Sequence, residues 1–225
     1  TSRNSELWHD GAVAQRFETA LGSPVPGARE QLVVVRAVND RFTVSVDSSG
    51  APLHERGWRQ AIAKAPLRES VAAGLLVAAG WDRTTPLVDP MCGSGTIAIE
   101  AALIAAGVAP AAGRELAFRF WPGFEPGTWA SVAAEIQNLR SEAGDPPRIV
   151  AVDRDAGAVD SARANADRAG VADLIEWRTA PIAELEPPDG PGGRPGLLVA
   201  NPPWGGRLDG GDMRNLYATL GRVAS

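Results

Sequence analysis

Apolar residues recur at helical spacing between Asp10 and Leu21, where Val13, Phe17, Ala20 and Leu21 share one face. Gly22 ends that run, and Pro24 and Pro26 prevent it from resuming. Two strands follow, Gln31 to Val38 and Phe42 to Val46, with the turn at Asn39-Asp40. From Pro66 the pattern changes. Leu67 to Ala79 reads as a helix, Pro86 to Asp89 as a short apolar strand, and Thr96 to Ala106 as an apolar helix. Strand Arg148 to Asp153, helix Ala156 to Ala169, strand Asp173 to Arg178 and strand Leu197 to Asn201 complete the series, and a short helical segment, Met213 to Val223, closes it. Strands alternating with helices predict a parallel sheet with right-handed crossovers. The insert from Pro110 to Pro147 must leave the sheet and return, and the Pro/Gly-rich run from Glu186 to Pro195 reads as an exposed loop. Four strands are fewer than the about six or seven of a doubly wound sheet. The expectation is a protein that continues beyond this chain at both ends.

The bulk numbers narrow the class without naming it. The chain has 225 residues, 44 % of them hydrophobic and 22 % charged, which suits a globular protein with a real core. No apolar run approaches the ~18–20 residues of a membrane span, and the start carries no signal pattern. One cysteine, Cys92, excludes an intrachain disulfide. A cytoplasmic location is the default expectation. The net charge of −5 is not that of a nucleic-acid binder, so contact with a polyanion must rest on a local patch or on a part of the protein outside this chain. Lys64 is the only lysine, so arginine supplies nearly all the basic charge. Arginine forks phosphates, although a GC-rich coding sequence is the simpler account of its use.

Candidate chemistry lies at the C-terminal ends of the strands. The first strand of the sheet runs into Asp89-Pro90-Met91-Cys92-Gly93-Ser94-Gly95-Thr96 and then a helix. Glycines there let backbone approach a ligand, and the helix start offers free N–H groups to an anion. The dinucleotide fingerprint is absent because Ala98 occupies its third glycine position, and no Walker lysine follows. A smaller anion fits, such as the carboxylate of S-adenosylmethionine, with Asp89 available to that ligand's ammonium group. A plain tight turn is the alternative. Asp153, ending the second strand, is placed to accept ribose hydroxyls, whereas Asp155 reads as a helix cap.

Asn201-Pro202-Pro203-Trp204 after the fourth strand points to amine chemistry. A base's exocyclic amine is a poor nucleophile because its lone pair is delocalised. The Asn201 amide oxygen and the Pro202 carbonyl can each accept one amine hydrogen, which favours a pyramidal nitrogen aimed at a methyl donor. Pro202 and Pro203 restrict the backbone that carries this carbonyl. Trp204 offers a face on which an extruded base stacks, worth roughly 1–3 kcal/mol. The alternative is a loop with a cis-proline and a core tryptophan.

Asp89 to Thr96 together with Asn201 to Trp204 resembles the first and fourth motifs of amino-group S-adenosylmethionine methyltransferases. Within them the chain is similar to the THUMP-containing RNA guanine-N2 methyltransferases. Val46 to Arg59 resembles that family's junction between THUMP region and catalytic domain, and Ala65 to Ser70 its pre-catalytic helix. Phe118 to Phe124 with Trp129 resembles its insert, and Thr1-Ser2-Arg3 with His9 to Ala12 the close of its THUMP domain. The resemblance implies an α/β, Rossmann-like methyltransferase sheet over 66–225, incomplete at its C-terminal strands. A linker at 51–65 and the α+β tail of a THUMP-like RNA-binding domain at 1–50 precede it. It implies S-adenosylmethionine as cofactor, held by Asp89, Pro90, Cys92, Gly93, Ser94, Gly95, Thr96, Asp153, Arg154 and the Ala180 position. It implies guanine N2 of ribosomal or transfer RNA as the acceptor. Thr179-Ala180-Pro181 stands where the family carries an adenine-reading acid, and Gly205-Gly206-Arg207 where it carries Gly-Glu-Arg. Two histidines without ligand spacing imply no metal. The competing readings are a DNA adenine-N6 methyltransferase, a methyltransferase of protein glutamine amides, and an RNA-binding module with an idle methyltransferase fold.

Overall fold

The computed structural model describes residues 2–6, 9–22, 30–60, 67–110, 113–141, 144–186, 196–203 and 210–224. Contacts divide it into two compact units, residues 1–52 with 113–126, and residues 53–112 with 127–225. The first unit holds β1 (Ser2–Arg3), α1 (Asp10–Leu21), β2 (Val33–Val38) and β3 (Arg41–Val46), in a sheet of order β1-β2-β3. β1 is parallel to β2 and β3 antiparallel to it, the latter pair joined through the expected turn, where Asn39 and Asp40 take positive φ. Val33, Val35 and Ala37 face α1 across a cleft of about 460 Å³. Residues from the insert complete this unit: the Phe118 N–H donates to the Ser48 carbonyl (3.1 Å), and the Trp121 indole to Gln31 Oε1 (2.7 Å).

The second unit carries the parallel sheet. Its elements are α2 (Glu69–Ala78), β4 (Leu87–Asp89), α3 (Thr96–Ala105), α4 (Pro126–Ser141), β5 (Ile149–Asp153), α5 (Ala156–Ala169), β6 (Ile175–Thr179), β7 (Leu197–Leu198) and α6 (Gly210–Val223). The strand order is β6-β5-β4-β7, all parallel. β4 and β5 are buried on both faces, which is why they read as continuous apolar runs without alternation. α3 is buried along nearly its whole length, so it too lacks a polar face. α5 is capped as expected. Asp155 accepts from the Gly157 N–H (2.8 Å), and Gly170 closes the helix in the left-handed conformation.

The fold class expected from the sequence is the one found, with element boundaries shifted by at most three residues. Two elements were not anticipated. One is β1, two residues long. The other is α4, sixteen residues inside the insert. No peptide bond is cis among the described residues, and no helix there is long and apolar enough to cross a membrane. The stops expected at Pro24 and Pro26, the segment before Leu67 and the loop from 187 to 195 lie outside the described residues.

Gly95 is the tightest point of the second unit. Its φ is +85°, and a Cβ there would sit 2.9 Å from the Ala162 Cβ and 3.3 Å from the Ala162 Cα. Gly95→Ala should therefore lower unfolding free energy by on the order of 2–4 kcal/mol, combining backbone strain with overpacking. A urea titration checks this; an unchanged midpoint would contradict it.

Candidate active site

The site is built at the C-terminal edge of the parallel sheet. β4 pairs with β5 on one side and with β7 on the other, so the chain's direction of winding reverses between β4 and β7. Open α/β sheets bind ligands in the crevice beyond such a switch point. β4 ends in Asp89 and enters the glycine loop, where the Cys92 N–H reaches the Val152 carbonyl of β5 (2.9 Å) and the Gly95 N–H the Cys92 carbonyl (2.7 Å). The register Val88↔Leu198 continues through a bond from the Val199 N–H to the Val88 carbonyl (2.9 Å). Asn201 follows three residues past Leu198, at the same end of the sheet as the loop after Asp89. Asn201, Pro202 and Pro203 are half-buried. The fold thus brings the glycine loop and the Asn-Pro-Pro segment to neighbouring strand ends. Trp204, Gly205, Gly206 and Arg207 lie outside the described residues.

Asp153 braces the loop. One carboxylate oxygen accepts the Gly93 N–H (2.9 Å) and the other the Asp155 N–H (3.0 Å). Each oxygen keeps a lone pair for a ligand hydroxyl. Gly93 has a φ of +53°, and a Cβ there would meet nothing within 4 Å, so the loop offers open space at that position. Most loop side chains point inward. Asp89, Pro90, Cys92, Ser94 and Thr96 are buried, while Met91, Gly93 and Asp153 are partly exposed and Arg154 is exposed. Burial, with the charges of Asp89 and Asp153, drives the Cys92 thiol far above its ordinary range, which leaves it a packing residue. The Ala180 N–H donates to the Asp153 carbonyl (3.0 Å), and Ala180 packs against the buried cluster of Val88, Val150, Val152 and Leu185. An adenine read at this position would have to use groups other than the Ala180 N–H. Among the described residues no cluster of His, Cys, Asp and Glu could hold a metal.

A second layer of polar residues behind the loop went unassigned in the sequence. Arg56 forks Glu100 through Nε (3.2 Å) and Nη2 (3.1 Å), in the middle of the otherwise apolar α3. Arg59 donates to Glu69 (2.9 Å), to the Leu67 carbonyl (2.8 Å) and to the Thr96 hydroxyl (2.9 Å), tying the start of α2 to the start of α3. Asn165 is fully buried on α5. It donates to the Ser94 carbonyl (3.1 Å) and accepts from the Gln60 N–H (3.2 Å) and from Arg168. The signal was available at one point: a lone glutamate in an apolar helix requires a buried cation.

A parallel sheet wound in this order, with a glycine loop after its first strand and a carboxylate ending its second, defines a Rossmann-like α/β unit of the methyltransferase type. The structure of SMU.472 complexed with SAH aligns with a TM-score of 0.82 at 28 % identity, over 99 % of this chain and 60 % of that one. A Listeria monocytogenes structure described as "a predicted N6-adenine-specific DNA methylase" aligns with a TM-score of 0.79 at 33 % identity, over 99 % and 60 %. Residues 56–225 match the model of UPF0020, the RMKL-like methyltransferase domain, and the chain belongs to that family. The ribosomal RNA large subunit methyltransferase K/L of Chromohalobacter salexigens is 38 % identical over 219 residues, 92 % of this chain. The protein of that name from Vibrio cholerae is 40 % identical over 177 residues, 77 % of this chain. The chain spans 29 % of the first relative's length and 25 % of the second's.

Asp89 generates a prediction of its own. Burial pushes its carboxyl up to about 7; the Met91 N–H (3.3 Å) opposes that shift and the Asp153 charge adds to it. The folded value lies above the ordinary carboxyl value of about 3.9. The stability it lends is complete below about pH 4 and is lost as pH rises through 7. Asp89→Asn, which cannot ionise, should exceed the wild type in urea stability at pH 8 by a few kcal/mol, on the order that such a shift carries. The gap should shrink as pH falls toward 4. A difference independent of pH would contradict this.

Proposed function

We propose that this chain is the methyl-transferring part of an S-adenosylmethionine-dependent RNA methyltransferase acting on the N2 amine of guanine in ribosomal RNA. The observation that carries the reading is the placement of Asn201-Pro202-Pro203 beside the glycine loop, at the switch point of a methyltransferase sheet. The family match over 56–225 and the names of the curated relatives support the same reading. The residues suit the cofactor. Gly93 leaves room for backbone approach, Asp153 keeps acceptor capacity for a ribose, and one Asp89 oxygen, without a hydrogen bond among the described residues, suits an ammonium group. When bound, S-adenosylmethionine supplies an electrophilic methyl group.

The chain's own residues then do the orienting. The Asn201 amide oxygen and the Pro202 carbonyl accept the two amine hydrogens of the base, turning its lone pair toward the methyl donor. The prolines keep that carbonyl in place. Trp204 holds the extruded base by stacking. The N-terminal unit, with residues 1–50, forms the closing part of a THUMP-like RNA-binding domain, and the protein works in the cytoplasm.

The test is methyl transfer from labelled S-adenosylmethionine to unmodified ribosomal RNA, transfer RNA and duplex DNA, with the product nucleoside identified by mass spectrometry. N2-methylguanosine in ribosomal RNA is expected. Asn201→Ala should lower kcat about 10²-fold, the order expected for losing one orienting polar group, with cofactor affinity unchanged. N6-methyladenine in DNA would leave the chemistry and move the substrate; no transfer to any acceptor would overturn the reading.

A further inference from the structure

We infer that the face of the N-terminal sheet turned away from α1 binds the phosphate backbone of RNA through Arg3, Arg36 and Arg41. The inference rests on the reading of the chain as an RNA methyltransferase and adds the surface that holds the substrate. Register places the three residues together. Val33, Val35 and Ala37 of β2 line the cleft beneath α1, so Val34, Arg36 and Val38 point to the opposite face. Residues opposite one another in a ladder share a face. Arg41 pairs with Val38 and Thr43 with Arg36 across β3, while Arg3 pairs with Val38 across β1. Arg3, Val38 and Arg41 thus form a row over all three strands, with Arg36 in the next row on the same side.

The face is basic and open. Arg3, Arg36 and Arg41 are exposed, and none forms an ion pair among the described residues. Thr43, Ser45, Val34 and Val38 occupy its remaining strand positions, so β1, β2 and β3 contribute no carboxylate to it. The Asp40 carboxylate, in the turn, accepts the Glu6 N–H (2.7 Å). In the second unit four arginines are engaged instead: Arg56 with Glu100, Arg59 with Glu69, Arg148 and Arg178 with Glu176. Strands ~4.8 Å apart space the outer two stems of the row by about 10 Å. Such spread, forked cations suit successive phosphates better than one small anion. The chain's net charge of −5 gives it no bulk attraction for a polyanion, so any attraction this chain exerts comes from a local basic face.

The test is fluorescence anisotropy of a labelled, structured ribosomal RNA fragment with the 225-residue chain, titrated across salt concentrations. The Arg36→Thr/Arg41→Thr double variant, made with a residue that strands favour, should bind about tenfold more weakly at low salt. Its log K against log salt should be shallower by about 1.5, the slope lost with two phosphate contacts. Each single variant should give part of that change, and Arg16→Gln, on α1, none. Thermal midpoint and S-adenosylmethionine affinity should hold for all. Three results would overturn the inference: no RNA binding by the wild type, an unchanged slope in the double variant, or an equal loss in Arg16→Gln. Equally tight, equally sensitive binding of duplex DNA would overturn the assignment to RNA. A lost slope together with a methylated product other than N2-methylguanosine would keep the face and reject the proposed reaction.

Discussion

The second unit depends on one place where two backbones nearly touch. Gly95 has no side chain, and Ala162 on α5 has only a methyl, so the start of α3 settles directly against α5. Asn165, one turn beyond Ala162, then reaches the Ser94 carbonyl. Sterics bring the loop and α5 together at Gly95, and a buried carboxamide sets the orientation of the peptide beside it. A larger residue at 95 or 162 would separate the helices and leave Asn165 buried without its acceptor, an arrangement that costs more than a missing contact.

Charge is distributed on the same logic. In the second unit the buried carboxylates are matched individually: Glu100 by Arg56, Glu69 by Arg59. These pairs join the segment before α2 to the helix that follows the glycine loop. They contribute less to stability than to choosing one arrangement, because removing either partner strands a charge in the core. Asp89 is the exception, buried with no ion-pairing cation among the described residues. In the first unit the arginines of the sheet stay in solvent. One chain therefore uses arginine in two ways, as an internal brace and as an outward surface.

Most of the fold was legible because its signals are local. The βα alternation, the loop after Asp89 and the Asp155 cap depend on short patterns that the structure reproduces. The failures have specific causes. β1 is two residues long, below what periodicity can register. α4 begins at a proline and has no strong apolar stripe, so the insert read only as a detour. The site was legible as positions but less so as contacts. Asp153 was read as a ligand to a ribose, yet its carboxylate also carries the Gly93 and Asp155 N–H groups. At the Ala180 position, where the sequence suggests an adenine contact, the N–H donates to the Asp153 carbonyl and the side chain packs on a buried cluster. Arg56, Arg59 and Asn165 act across separations of ten to about a hundred residues, which no window along the chain can relate.

The bond between Asp153 and Gly93 has a consequence for how a ligand arrives. The loop is already shaped by its neighbouring strand in the free protein, so little chain entropy remains to be lost when the crevice fills. Affinity then resides in the contacts themselves, with little ordering of this loop to offset.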